Sequence, residues 1–342
     1  MIDTETFARR FLGYNVVGCA VRHRDLFYFI AQEDYTQWPD WRDTGNAPSS
    51  TALKKRVISY SRNQPEGSRW GNAVLTGYDR VECGVCLTPK EQLVVASIAG
   101  QVYAVGSGEA GAEIALARGE TTKRGSVLKL KTIAGKLYLC GGNRTVAVRR
   151  GKDDWQWLTA GLPFDLKTEL YTAGFSDIDG FAEDDIYAAG GDGDVWHYDG
   201  ARWRALDFPF DLPLRTICCA GNGEVYVSGY EGATFAGRGD RWRRLDAPLL
   251  TLPFFDMIWH EDRIWATNDY GVWWIDGDKV IRAELPTGIS ACAGRLSGRD
   301  GVLLLAGFFG VSLLQNGQWK EILHYGPLAA QCAAEGHQTH RP

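Results

Sequence analysis

Cys83-Gly84-Val85-Cys86 has the spacing of half a zinc site or of a redox pair. A structural zinc site needs a second pair, and Cys218 and Cys219 are adjacent rather than spaced, so Cys83 and Cys86 read as two residues of a buried inner strand. Asp177 and Asp179 stand two apart in an extended run and would project to the same side. Facing a central channel, they could bind a cation or perform acid–base work. They could equally hydrogen-bond turn amides and water, the commoner role for carboxylates with no basic or histidine partner in the pattern. Asp192-Gly193-Asp194 lacks the ligand spacing and terminal Glu of an EF-hand and reads as a hairpin turn. Among the six histidines only His337 and His340 are closely spaced, in a segment that reads as solvated. No Gly-x-Ser-x-Gly, phosphate loop or dinucleotide fingerprint occurs. No catalytic constellation, metal site or cofactor site is expected.

The elements that would carry these residues follow from a repeat. Gly193, Gly232, Gly271 and Gly310 are each 39 residues apart, as are Tyr187, Tyr226, Trp265 and Leu304. Around them runs one template: an apolar strand, a polar turn, an Ile-Tyr or Val-Tyr strand, a Gly-rich turn, a third strand, and a short strand with Trp. In one unit the strands are expected near 177–182, 186–189, 194–198 and 202–206. The first half drifts further, with Leu137-Tyr138-Leu139, Leu93-Val94-Val95 and Leu26-Phe27-Tyr28-Phe29 as second strands. Seven units result, at about 13–77, 78–120, 125–165, 174–209, 212–248, 249–286 and 288–323.

A four-stranded twisted sheet cannot bury both faces alone, and radial stacking buries the faces between neighbours. The predicted fold is therefore all-β: a seven-bladed β-propeller of four-stranded antiparallel blades over 13–323. No spare N-terminal strand is available to close the last blade, which leaves face packing. Residues 1–12 are expected to hold a short helix, with Phe7, Phe11 and Leu12 at helical spacing and Thr4 as a cap. Residues 324–342 carry no blade template and are expected to be a flexible tail.

Composition agrees: 41 Gly and 13 Trp in 342 residues fit many short strands joined by tight turns. A net charge of −5 argues against nucleic acid or an anionic membrane as partner. No apolar run approaches the roughly 18–20 residues of a membrane span, and the N-terminus lacks the order of a secretory signal. A cytoplasmic protein is expected. The basic strings around Trp203 and Trp242 alternate with Trp on outer strands and read as edge charges that block strand addition.

In a propeller, loops between second and third strands share a face with the connections from one blade to the next. That face carries Arg144, Asp192, Tyr230, Glu231, Asp269, Tyr270, Phe308 and Phe309 on the former loops, and Phe210, Asp211, Phe254 and Phe255 on the latter. The longest insertion, about 34–55, emerges there too, with Tyr35, Trp38 and Trp41. Aromatic anchors within an acidic rim suit a protein partner with basic residues. Alternatively, Phe254 and its neighbours plug the gap between blades and the insertion folds back over the channel.

The repeats resemble the Trp-Asp-repeat-like propeller superfamily over about 13–323, although Trp-Asp dipeptides and their Gly-His partners are absent. Strings such as Val195-Trp196-His197-Tyr198-Asp199-Gly200 and Gly237-Arg238-Gly239-Asp240-Arg241-Trp242 resemble bacterial propellers found beside secreted polymorphic toxins. That resemblance implies an immunity protein, an antitoxin that neutralises a toxin, in its most concrete form a basic toxin domain, by occluding its active site. A propeller lyase or hydrolase using channel carboxylates and an assembly scaffold are the alternatives.

Overall fold

Where the sequence alternates a short apolar run with a Gly- or Asp-bearing turn, the chain reverses and pairs with itself, seven times building a four-stranded antiparallel sheet. The computed structural model describes residues 2–37, 45, 47–117, 123–163 and 173–337. Blade 1 is β1 (Tyr14–His23), β2 (Leu26–Glu33), β3 (Lys55–Ser61) and β4 (Trp70–Leu75); blade 2 is β5 (Val81–Cys86), β6 (Gln92–Ser97), β7 (Val102–Gly106) and β8 (Glu109–Glu113). Blade 3 comprises β9 (Val127–Ile133), β10 (Lys136–Gly141), β11 (Thr145–Gly151) and β12 (Asp154–Trp157), and blade 4 β13 (Asp177–Ala182), β14 (Asp185–Gly190), β15 (Asp194–Tyr198) and β16 (Trp203–Ala205). Blade 5 follows as β17 (Leu214–Cys219), β18 (Val225–Gly229), β19 (Thr234–Arg238) and β20 (Arg241–Arg244), and blade 6 as β21 (Asp256–His260), β22 (Arg263–Asn268), β23 (Gly271–Asp276) and β24 (Lys279–Arg282). The last blade is β25 (Arg295–Arg299), β26 (Val302–Gly307), β27 (Gly310–Gln315) and β28 (Gln318–His324). These are the seven blades of a β-propeller, and the expected fold is the observed one.

Internal contacts divide the chain into two units, Met1–Arg80 with Glu284–Pro342, and Val81–Ala283. In the second unit the apolar clusters lie between successive blades, as radial stacking requires. Tyr138 and Val146 of blade 3 meet Phe175, Ile178 and Trp196. Tyr187 and Val195 of blade 4 meet Ile217 and Val227, and Tyr226 of blade 5 meets Met257, Ile264 and Trp273. Each such buried side chain is worth about 1.5–3 kcal/mol, so the inter-blade faces dominate stability.

The first unit joins blade 7 to blade 1 by face packing. All four strands of blade 7 come from the C-terminal repeat, and β1 packs on β25 and β26. Helix α1 (Thr4–Arg10) begins where the Asp3 side chain accepts from the Thr6 amide at 2.7 Å, so Asp3 and not Thr4 is the cap. A short helix α2 (Thr287–Ser290) precedes blade 7.

The segment expected as a flexible tail instead holds helix α3 (Tyr325–Ala334). Tyr325, Leu328, Ala329 and Cys332 recur at helical spacing and pack into the core shared by α1 and the first and last blades. The Phe7 and Tyr325 rings meet edge-on at 5.2 Å. The Ile2 amide donates to the Ile322 carbonyl at 3.1 Å, and the Gly13 amide to the Tyr325 hydroxyl at 3.0 Å. N- and C-terminal segments therefore clasp the first and last blades.

Candidate partner-binding face

In the second unit, backbone hydrogen bonds knit the loops of one face together. The Phe175 amide donates to the Gly141 carbonyl at 3.0 Å, Gly193 to Leu212 at 2.9 Å, and Tyr230 to Pro213 at 2.8 Å. The Asn268 side chain adds a bond to the Leu252 carbonyl at 3.3 Å. Loops between second and third strands thus rest on the connections between blades, from blade 3 to blade 6.

Sequence position translates directly into surface chemistry there. The residue before each repeat glycine is Asp192, Glu231 or Tyr270 in blades 4, 5 and 6, and the one before that is Gly191, Tyr230 or Asp269. Tyr230 is 60% exposed, Tyr270 49%, Phe255 37%, and Leu249, in the connection from blade 5 to blade 6, 72%. Exposed apolar groups gathered on knitted loops mark an interaction surface more often than isolated ones do.

The carboxylates on these loops differ from those elsewhere in the unit. On the turns between first and second and between third and fourth strands, acids are paired with arginines of the outer strands: Asp240 with Arg204 at 3.2 Å, Glu224 and Asp278 with Arg243 at 2.5 and 2.8 Å. Asp192, Asp211, Glu231, Asp246 and Asp269 are exposed and form no side-chain hydrogen bond or ion pair with another described residue. Arg215 and Arg244 are the exposed basic residues nearest them in sequence that are likewise uncommitted among the described residues. Five carboxylates on these loops thus stand without a bonded partner among the described residues, beside the likewise unbonded Arg215 and Arg244.

Three of the residues singled out from the sequence are placed differently. Phe254 is fully buried in the core between blades 5 and 6, 6.3 Å from Trp273, and is a packing residue. Arg144 is buried: its Nε and Nη2 donate to Asp194 at 2.8 and 3.0 Å and its guanidinium lies 5.1 Å over the Trp196 ring, so it ties blade 3 to blade 4. Phe210 is half-buried, 4.2 Å from the Phe235 ring. Trp38 and Trp41 lie outside the described residues.

In the first unit, Phe308 and Phe309 are 57% and 65% exposed at the hairpin tip between β26 and β27. Tyr35 is half-buried in a 3-10 turn at the start of the insertion between β2 and β3. The insertion's far end is anchored by Lys55, whose buried ammonium donates to the Ser50, Leu53 and Tyr78 carbonyls. Burial pulls the Lys55 ammonium below the usual lysine value.

The inner-strand carboxylates are structural. Asp177 accepts from the Ile178 amide at 2.8 Å through one oxygen, and from the Thr216 hydroxyl at 2.7 Å and the Ile217 amide at 3.1 Å through the other. Asp179 accepts from the Gly180 and Cys219 amides, both at 3.0 Å. They also have the basic neighbours the sequence pattern does not reveal: Lys131 approaches Asp179 at 3.6 Å and Lys129 pairs with Asp256 at 2.8 Å. Burial alone would lower the Lys131 ammonium, but Asp179, Asp177 and Asp256 outweigh it and raise its pKa. On β5, Cys83 and Cys86 are three residues apart on a strand, which sends the thiols to opposite faces and precludes a shared metal.

The class this fold defines is the seven-bladed β-propeller, and solved structures agree. The chain resembles the WD40 propeller domain of Doa1 (TM-score 0.58, 12% identity, 87% of this chain and 91% of that one) and YCF48 bound to D1 peptide (0.59, 9%, 92% and 94%). It also resembles a virginiamycin B lyase from Staphylococcus aureus (0.52, 11%, 70% and 83%). At such identities the likeness shows fold alone. No protein-family model matches the chain. Over 247 residues it is 30% identical to the immune protein Tsi7 of Pseudomonas aeruginosa, covering 72% of this chain and 80% of that protein. The chain belongs to the Tsi7 immune-protein family. No helix among the described residues is long and apolar enough to cross a membrane.

Proposed function

We propose that this protein is a cytoplasmic immunity protein that neutralises a cognate secreted toxin by binding it through the loop face and occluding its active site, without chemistry of its own. Kinship with Tsi7 is the observation that carries the reading. The exposed aromatics among uncommitted carboxylates support it, because a rigid aromatic anchor with a desolvated charge beside it is the usual composition of a binding hot spot. A toxin domain with a basic surface is the partner such a face fits. The site consists of Asp192, Asp211, Tyr230, Glu231, Phe255, Asp269 and Tyr270 of the second unit. All four oxygens of Asp177 and Asp179 are engaged by hydrogen bonds, which weighs against the alternative of a lyase or hydrolase that uses these two carboxylates.

The test is co-expression with candidate toxins from the same genome. Growth protection by the wild-type protein is expected, with a stable stoichiometric complex on purification. Tyr230→Ala combined with Tyr270→Ala should weaken that complex by about thirtyfold or more, the worth of one or two hot-spot residues. Protection by no toxin of the native host would end the proposal, and unchanged affinity in the double variant would remove this face from it.

A further inference from the structure

The loop between β18 and β19 and the connection from β20 to β21 enclose a cavity of about 240 Å³ on the loop face, lined by Glu231, Gly232, Thr234, Arg244, Asp246 and Pro248, among others. Its chemistry is unlike that of a packing defect, which would be apolar and closed. The lining carries two acids, Glu231 and Asp246, and one base, Arg244, and none of the three side chains has a hydrogen-bond or ion-pair partner among the described residues. Acids outnumber bases two to one among the ionisable residues of that lining.

Its walls are rigid. Gly232 has φ +72°, and a Cβ there would lie 2.6 Å from the Leu250 side chain, so Leu250 packs against bare backbone. The Thr234 hydroxyl donates to the Gly232 carbonyl at 3.0 Å and is hydrogen-bonded with the Ser228 hydroxyl at 3.2 Å. The neighbouring backbone holds Glu231 in the left-handed region at φ 56°. Exposed apolar groups flank the opening in sequence: Tyr230 immediately before Glu231, Leu249 immediately after Pro248.

We infer that this cavity is a socket for an arginine or lysine side chain of the partner, with Glu231 and Asp246 as counter-charges and Tyr230 and Leu249 as the apolar lips. The inference rests on the reading of this face as the toxin-binding surface. A long aliphatic stem ending in a charged head matches such a pocket: the stem covers Pro248 and the lips while the head meets the carboxylates. A guanidinium fits better than an ammonium, since its planar fork bonds carboxylates in parallel pairs and stacks on an aromatic ring.

The full-length protein, isotopically labelled, is titrated with N-acetyl-arginine amide and, as control, N-acetyl-glutamine amide. The arginine probe is expected to shift the amide resonances of Glu231–Thr234 and Leu245–Ala247 saturably, and the glutamine probe to leave them unmoved. Glu231→Gln and Asp246→Asn should each weaken the probe about two- to fivefold, with the melting temperature unchanged because neither carboxylate has a partner in the fold. Equal response to both probes, or to wild type and double variant, overturns the socket. The growth-protection assay keeps the two claims separate. A protein that protects but ignores the arginine probe refutes the socket alone, whereas one that binds the probe but protects against no toxin refutes the immunity reading alone.

Discussion

Lys129 on β9 and Asp256 on β21 form an ion pair at 2.8 Å although their strands are the first strands of blades 3 and 6, with two whole blades between them in the chain. Both side chains are nearly buried, so the pair has been taken out of water and neither charge can be left behind cheaply. Lys129→Met or Asp256→Asn should each cost about 3–5 kcal/mol in urea unfolding. The double variant Lys129→Met with Asp256→Leu should recover most of the loss, because two apolar groups leave no uncompensated charge. Additive losses in the double variant would show that the two residues act independently.

Arg144 occupies a turn at φ 55° that a glycine would adopt without strain, and its retention is explained by the bidentate bond to Asp194 across the blade boundary. Two opposed effects can therefore be read at one position. Arg144→Ala loses the pair and keeps the strain; Arg144→Gly loses the pair and relieves the strain. Both should be destabilised, by about 2–4 kcal/mol, with the glycine variant the more stable of the two by about 1 kcal/mol. The reverse order, measured by thermal or urea unfolding, would remove the strain argument.

The blades were legible because a repeat imposes its own register: the strands expected at 177–182 and 194–198 are β13 and β15. What the repeat does not encode was not legible. Lys129 and Asp256 lie 127 residues apart, and no local pattern announces their meeting. Phe254 sits in a connection where strand periodicity says nothing of burial, so an aromatic in a loop read as an anchor is in fact a plug. The face proposed for binding shows in the sequence as an accumulation of aromatics and acids, but its cavity requires the β18–β19 loop and the connection carrying Asp246 and Pro248 to be seen side by side. The C-terminal helix did have a signal, the helical spacing of Tyr325, Leu328 and Cys332, which the absence of a blade template obscured.

Phe11 follows α1 and is fully buried, with the Trp70 ring edge-on at 5.8 Å and Phe29 at 6.4 Å. With no strand exchanged between the first and last blades, such residues must supply the cohesion of that unit. Phe11→Ala should cost about 3–5 kcal/mol, whereas Glu5→Ala, on the exposed side of α1, should cost less than about 0.5 kcal/mol. Equal, small losses in both variants would mean that the clasp is ornamental and that β1 packing on β25 and β26 suffices.

The last prediction concerns acid. Glu224 is held below the usual glutamate value first by its hydrogen bonds from Arg243, at 2.5 and 3.0 Å, and then by the Tyr226 hydroxyl, against the opposing effect of burial. Arg243 also donates to Asp278, so the trio fastens blade 5 to blade 6 at the surface. A carboxylate with a lowered folded pKa adds stability that is fully present above its unfolded value, near 4.5, and disappears as pH falls through the folded one. Glu224→Gln should accordingly melt about 1–3 °C below wild type at pH 7. The same gap should persist at pH 6 and narrow only as pH falls below 4.5 and through the lowered folded value, where wild-type Glu224 takes up its proton. A gap that stays constant down to pH 3 would show that the glutamine variant suffers from packing rather than from the lost charge.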